Sequence, residues 1–154
     1  MKIRQAETDK EIAVCYPVMR ELRPHIPEID FFNRVRRQEK DGYRLVFVEV
    51  DIEIVAIAGF RIGESLAWGR FLYVDDLVTS GEYRSKGFGA KLLSWLREYA
   101  VVKNCQQLHL DSGAQRVDAH RFYEREGMSK TGIHFAQQLE PNNALKSTPK
   151  GGAA

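Results

Sequence analysis

Between Leu72 and Lys103 the hydrophobic period changes within a few residues, and that change constrains the fold more than any other feature of the chain. Leu72 to Thr79 reads L-Y-V-D-D-L-V-T, an apolar and β-branched run of the kind that forms a buried strand. Ser80-Gly81 breaks it with a turn. Past Gly89 the spacing becomes helical: Phe88, Leu92, Leu93, Leu96 and Ala100 share a face, with Lys91, Ser94, Arg97 and Glu98 between them. A strand, a basic glycine-rich loop and a helix are therefore consecutive. This order places unpaired N–H groups and the positive end of a helix dipole at the loop, where an anion can sit. Gly87 and Gly89 allow close approach of backbone to a ligand. Arg84 and Lys86 add donors suited to phosphate.

The spacing excludes two common phosphate loops. A Walker loop needs glycine before its lysine and Ser or Thr after it, whereas Lys86 stands between Ser85 and Gly87. A dinucleotide fingerprint needs a third glycine where this chain has Leu92. The stretch R-S-K-G-F-G, from Arg84 to Gly89, instead resembles the Q/R-x-x-G-x-G/A loop of the GNAT superfamily of N-acetyltransferases, which holds the pyrophosphate of coenzyme A. A helix entry that simply needs a tight turn would look similar on this loop alone.

Composition agrees with one soluble globular domain. The 154 residues are 44% hydrophobic and 29% charged, with a net charge of +2. That balance gives little attraction to nucleic acid or an anionic membrane, and neither is expected as a partner. No apolar run approaches the ~20 residues that span a bilayer. Glu7, Asp9 and Glu11 interrupt any signal-peptide core. Cys15 and Cys105 form no metal or redox motif, so burial in a reducing cytoplasm is the expectation, without a metal.

Along the chain, Lys2 to Ala6 is a strand candidate, and Thr8 with Glu11 reads as a capping box. Ile12, Cys15, Met19 and Leu22 form a helical face that Pro17 should break near Tyr16. A second helix is predicted over Glu28 to Lys40, stopped by Gly42. Tyr43 to Val50 and Ile54 to Ile62 read as strands, with turns near Asp51 to Glu53 and at Gly63-Glu64-Ser65. A further strand from about Gly69 enters the Leu72 run. Gln107 to Ser112 should pair in parallel with that run, Arg116 to Glu126 form a short helix, and Met128 to Leu139 supply a last strand or hairpin. Residues 141–154 read as a disordered tail after a single domain spanning 1–140. The class is α+β, with a mixed, mostly antiparallel sheet flanked by helices on both faces.

The same order resembles GNAT enzymes, and A-H-R-F-Y-E-R-E-G-M, from Ala119 to Met128, resembles their A-x-x-F-Y-E-x-x-G-F segment. The resemblance covers about residues 1–139. It departs from the pattern at Arg116, where such families often carry asparagine, and at Met128, where they close on an aromatic residue.

What the resemblance implies is acetyl transfer from acetyl-coenzyme A to an amine. The pyrophosphate would lie on Arg84, Ser85, Lys86, Gly87, Phe88, Gly89 and Ala90, and the thioester arm along Leu77 and Val78. The Leu77 N–H would polarise the acetyl oxygen, and Tyr123 would protonate the leaving thiolate. Plain core packing is the bland reading of Leu77, Val78 and Tyr123.

Asp75 and Asp76 conflict with strand propensity and are the acid candidates for the amine proton. Adjacent residues on a regular strand face opposite ways, so one alone would meet the cleft unless a bulge intervenes. Asp76, sharing parity with Val78, is the favoured one, against a structural role bonding loop amides. Glu64, Asp111, His25, His109 and His120 are weaker candidates. The paired acids point to a small cationic amine, and D-D-L-V-T-S-G-E-Y-R is similar to aminoglycoside-acetylating members. Acetylation of a protein lysine or N-terminus, and a non-catalytic acyl-coenzyme A sensor, are the competing readings. A homodimer is compatible with both.

Overall fold

In the computed structural model, which describes residues 1–140, the periodicities become five strands and five helices. The strands are β1 (Lys2–Gln5), β2 (Arg44–Val50), β3 (Glu53–Ser65), β4 (Gly69–Thr79) and β5 (Gln107–Leu110). They lie side by side in sequence order. β1 to β4 pair antiparallel, and β4 and β5 pair in parallel, as expected of strands joined through a helix. The expected tail at 141–154 lies outside the described residues.

The helices are α1 (Asp9–Val14), α2 (Tyr16–Leu22), α3 (Glu28–Glu39), α4 (Phe88–Val102) and α5 (Val117–Arg125). Thr8 caps α1 in a complete capping box with Glu11. Pro17 opens α2 after a break at Cys15, because it lacks the N–H a continuous helix would use. Gly42, at φ +96°, turns the chain from α3 into β2.

Each face of the sheet buries its own core. Ile12, Met19, Phe31, Phe47 and Ile57 pack on the α1–α3 side, with buried Cys15 among them. Val46, Val55, Phe60, Leu72, Leu92 and Leu96 pack on the α4 side, with α5 leaning on that cluster through Phe122 and Tyr123. Burial pushes the Cys15 thiol up to about 12, which makes it inert at neutral pH. No helix among the described residues is long and apolar enough to cross a membrane.

Two expectations need correction. The turn at Gly63-Glu64-Ser65 is strand, and the reversal comes at 66–68. Gly63 is there for contact: a Cβ on it would come within 2.8 Å of the Phe71 ring on the neighbouring strand. The last strand or hairpin over Met128 to Leu139 is absent. Residues 129–140 form no helix or strand and are exposed.

Candidate active site

β4 and β5 stay together only from Phe71–Gln107 to Val74–Leu110. Beyond Val74, β4 continues along β3 as far as Thr79, with no strand on its other edge among the described residues. Its alternate N–H and C=O groups there have no strand partner and aim at the gap. A cavity of about 600 Å³ occupies that gap. Asp75, Leu77 and Val78 line it from β4, and Leu110 and Asp111 from the end of β5. Glu21 and Arg23 enter from α2 and its cap, Arg84 from the loop before α4, and Arg116 and Tyr123 from the α5 side.

The glycine loop closes one end. After a 3₁₀ turn at Gly81–Tyr83, Ser85 and Gly87 both take positive φ, +62° and +83°, which curls the backbone into α4. Left-handed residues in such a curl make a concavity of N–H groups. Among the described residues, no side chain caps the first turn of α4, and a Cβ placed on Gly87 would meet no atom within 4 Å. The loop thus presents free donors to open space. A Cβ on Gly89 would stand 3.4 Å from the Phe122 ring of α5 and 3.5 Å from the Thr79 hydroxyl, at van der Waals distance, so α5 packs closely against this point of α4. Glu21 accepts from the Gly81 N–H at 2.9 Å and stands 3.7 Å from Arg84, which ties α2 to the loop. Lys86 lies over the Tyr83 ring.

A bulge changes the geometry of the acid pair. Gly59 opposes Asp76 and Phe60 opposes Val74, which leaves Asp75 as the extra residue on β4. Both carboxylates therefore lie on the α1–α3 side of the sheet, where alternation on a regular strand would have put the two on opposite faces. Asp75 lines the cavity and is held by Arg61, whose Nε is 3.1 Å from each oxygen and whose second nitrogen is 2.7 Å from Oδ2. Asp76 sits behind it. It accepts from Arg23 Nε at 3.0 Å and from the Tyr43 hydroxyl at 2.9 Å. Burial, with Asp76 alongside, pushes the Tyr43 phenol well up, so it stays a donor. Gly59 makes this arrangement possible, since a Cβ there would stand 1.9 Å from the Tyr43 oxygen.

Arg61 carried a signal in the sequence, as a charge at an inward position of an apolar strand. Arg23 and Tyr43 carried none, because their partner is remote in the chain. Both acids on which a preference for a cationic acceptor rests are thus matched by an arginine. Asp111 accepts from the Tyr73 hydroxyl.

Tyr123 brings its phenol into the cavity with no hydrogen-bond partner among the described residues. Burial raises its pKa above the ordinary tyrosine value, with the Arg116 charge opposing, and the group stays protonated at neutral pH. Arg116 itself has no ion-pair partner among the described residues. His25, Glu64, His109 and His120 lie outside the cavity lining. His109 stacks on Trp68 at 3.6 Å, and burial lowers its pKa. The Nε2 of His120 is 2.8 Å from the Gly113 carbonyl.

Residues 6–128 match the family model described as Acetyltransferase (GNAT) family. A Bacillus subtilis protein described as an uncharacterized N-acetyltransferase is 34% identical over 122 residues, which is 79% of this chain and 86% of that one. The aminoalkylphosphonate N-acetyltransferase of Salmonella typhimurium is 33% identical over 66 residues, 43% of each chain. Among solved structures, an aminoglycoside N-acetyltransferase in complex with CoA superposes with a TM-score of 0.78 at 13% identity, covering 90% of this chain and 93% of that one.

Proposed function

The chain belongs to the acetyltransferase (GNAT) family, and on that premise we propose that it carries an acetyl group from acetyl-coenzyme A to a small primary amine by direct attack. The observation that carries this reading is the parting of β4 and β5 beside the uncapped start of α4. One feature offers strand edge to a thioester arm, and the other offers N–H groups to a pyrophosphate. The open space at Gly87 fits a phosphate. A relative of the same fold, the aminoglycoside N-acetyltransferase, is described in complex with CoA, which supports the assignment.

Acetyl-coenzyme A supplies a thioester, whose acetyl group becomes an amide while its sulfur leaves as thiolate. Arg84 to Ala90 hold the pyrophosphate, with Gly87 leaving the space and Arg84 and Lys86 adding charge. The backbone of Leu77 and Val78 pairs with the arm, and the Leu77 N–H faces the acetyl oxygen. Asp75, the cavity-lining acid, draws the ammonium to the thioester and passes its proton to water. Asp76 keeps Arg23 and the bulge in place. Tyr123 donates its proton to the sulfur and recovers one from solvent.

A second reading of the acceptor is favoured by Arg116, which lines the cavity without an ion-pair partner among the described residues. An amine carrying an anionic group would find its counter-charge there. The Salmonella relative is named for such an acceptor, an aminoalkylphosphonate. A turnover assay with acetyl-coenzyme A decides between these readings, using polyamines, aminoglycosides, amino acids, aminoalkylphosphonates and peptides as acceptors. Thiol release should depend on a small amine. Faster turnover of an aminophosphonate than of the matched simple amine selects the anionic acceptor. Coenzyme A binding without turnover of any amine would instead make the protein an acyl-coenzyme A sensor.

A further inference from the structure

Six charged side chains line the cavity between β4 and the end of β5: Glu21, Arg23, Asp75, Arg84, Asp111 and Arg116. Four of them have an opposite charge beside them, in the pairs Arg23–Asp76 at 3.0 Å, Asp75–Arg61 at 2.7 Å and Glu21–Arg84 at 3.7 Å. Asp111 and Arg116 are what remains. Arg116 has no ion-pair partner among the described residues. The ion-pair contact that Asp111 makes is with His134, whose Nδ1 is 3.5 Å from Oδ1 and which carries charge only when protonated.

Asp111 stands on the same face of the sheet as Asp75. Tyr73 opposes His109 across the parallel pair, while Leu108 and Leu110 pack into the α4-side core. By alternation Asp111 shares the face of His109 and Tyr73, and the Tyr73 hydroxyl donates to its Oδ2. Burial and then that bond push the Tyr73 phenol well above its ordinary value, and the nearby Asp75 charge adds to the effect. Tyr73 therefore stays a donor with two carboxylates around it. Arg61 balances Asp75, so the net negative charge at this place is that of Asp111.

Arg116 faces the same cavity from the N-cap position of α5. Its charge reaches the Tyr123 phenol, opposing the rise that burial causes there. It therefore stands near the group assigned to the leaving sulfur. Asp111 and Arg116 both belong to the connection from β5 to α5, yet they form no ion pair with each other among the described residues. A cavity wall with one uncompensated charge of each sign, held apart, is complementary to a ligand that carries both. A diamine would set its second cation against the Arg116 guanidinium, which selects against it.

We propose that the acceptor is a small zwitterion, its ammonium held by Asp111 and its anionic group, a carboxylate or a phosphonate, held by Arg116. This rests on the acetyl-transfer reading and names the acceptor class within it. The ammonium lies between Asp111 and Asp75: the first supplies the charge that binds it, and the second passes its first proton to water. The freed amine attacks the thioester carbon. Its second proton goes to solvent as the N–C bond forms and the C–S bond breaks, the electron pair leaving on sulfur. Tyr123 protonates that sulfur and recovers a proton from solvent.

Acceptors of matched length test this. β-Alanine and aminoethylphosphonate carry an anion where propylamine has a methyl group and ethylenediamine a second amine. The wild-type kcat/KM should be roughly ten- to a hundredfold higher for the two zwitterions than for propylamine, the scale of one charge-assisted contact. Which zwitterion leads tells carboxylate from phosphonate. Arg116→Gln should erase that ratio, and Arg116→Glu should turn the preference to ethylenediamine, a reversal that lost packing would not produce. Asp111→Asn should raise the KM of every acceptor about tenfold, with a smaller effect on kcat. Thermal melts check that the variants fold, and the wild-type series is decisive without them. Equal wild-type rates for the zwitterions and propylamine overturn the proposal while leaving acetyl transfer in place. So does unchanged acceptor KM in Asp111→Asn. An Arg116→Gln variant that loses coenzyme A affinity in calorimetry but keeps the acceptor ratio also overturns it, since Arg116 would then serve the coenzyme. If no amine is turned over, the acetyl-transfer reading itself fails. Calorimetry on the coenzyme A complex then tests the charge pair: β-alanine must bind more tightly than propylamine, and equal binding overturns the proposal.

Discussion

Tyr123 lines the cavity with a protonated phenol that has no hydrogen-bond partner among the described residues. Tyr123→Phe should keep the ring packed while removing the donor. Turnover should fall ten- to a thousand-fold, roughly the scale of one acid–base group, with little change in KM for acetyl-coenzyme A. Steady-state kinetics reads both, and unchanged turnover means the sulfur leaves without this proton. The two aspartates should separate by the kind of damage each causes. Asp75→Asn alters a group that lines the cavity, and should lower turnover most at neutral pH, with partial recovery at high pH where free amine is abundant. Asp76→Asn weakens the counter-charge to Arg23 and disturbs Tyr43, and should cost roughly 1–2 kcal/mol of stability. Kinetics and thermal melts on both variants distinguish these effects. Equal losses of activity and stability would make the pair structural.

At the scale of elements, the loop into α4 and the helix behind it ask different things of their two glycines. Gly87 has positive φ and open space at its Cβ position, whereas Gly89 has ordinary φ and contacts at van der Waals distance. Gly87→Ala should destabilise by about 1–2 kcal/mol through left-handed strain and weaken coenzyme A binding. Gly89→Ala should be tolerated, with both quantities near wild type. Calorimetry with coenzyme A, beside melts of the two variants, checks the contrast. Equal affinity in Gly87→Ala would remove the pyrophosphate from this loop. Gly59 shows the same logic on the strand side, where the bulge leaves room for Tyr43 to reach Asp76. The acid behind the cavity wall, Asp76, is thus set by a glycine on the neighbouring strand.

For the whole molecule, the first strand and first helix are joined by Glu11. Its carboxylate accepts from the Glu7 and Thr8 N–H groups and bonds Arg4 of β1. Those bonds to the Thr8 and Glu7 backbone, and then to Arg4, hold its pKa down at about 2. The folded value lies below the unfolded one, about 4.3, so the group contributes stability fully above that value. The contribution fades as pH falls from about 4.3 through about 2. Melting temperature should decline over that window, and Glu11→Gln should flatten part of the decline while lowering stability at pH 7. A wild-type and variant pair with parallel pH profiles would show that the cap does not titrate with folding.

The sequence by itself determined the elements whose causes lie within a few residues. The change of period at Gly89, the capping box at Thr8 and Glu11, and the break at Pro17 all depend on neighbours three or four positions away. The curl at Gly87 is also local, because positive φ favours a residue without Cβ. These were legible, and with them the sheet's order and the helix that faces the cavity. Tertiary structure alone decided how the acids sit. The groups that hold Asp75 and Asp76 are Arg61, Tyr43 and Arg23, which stand 14, 33 and 53 positions away. The bulge that brings both acids to one face is a register choice between two strands, and neither strand's own pattern encodes it. The segment 133–139 divides in the same way: its alternation of apolar and other residues is written in the chain. Whether it becomes a strand depends on an edge to pair with, because a strand's backbone hydrogen bonds are always made to something else.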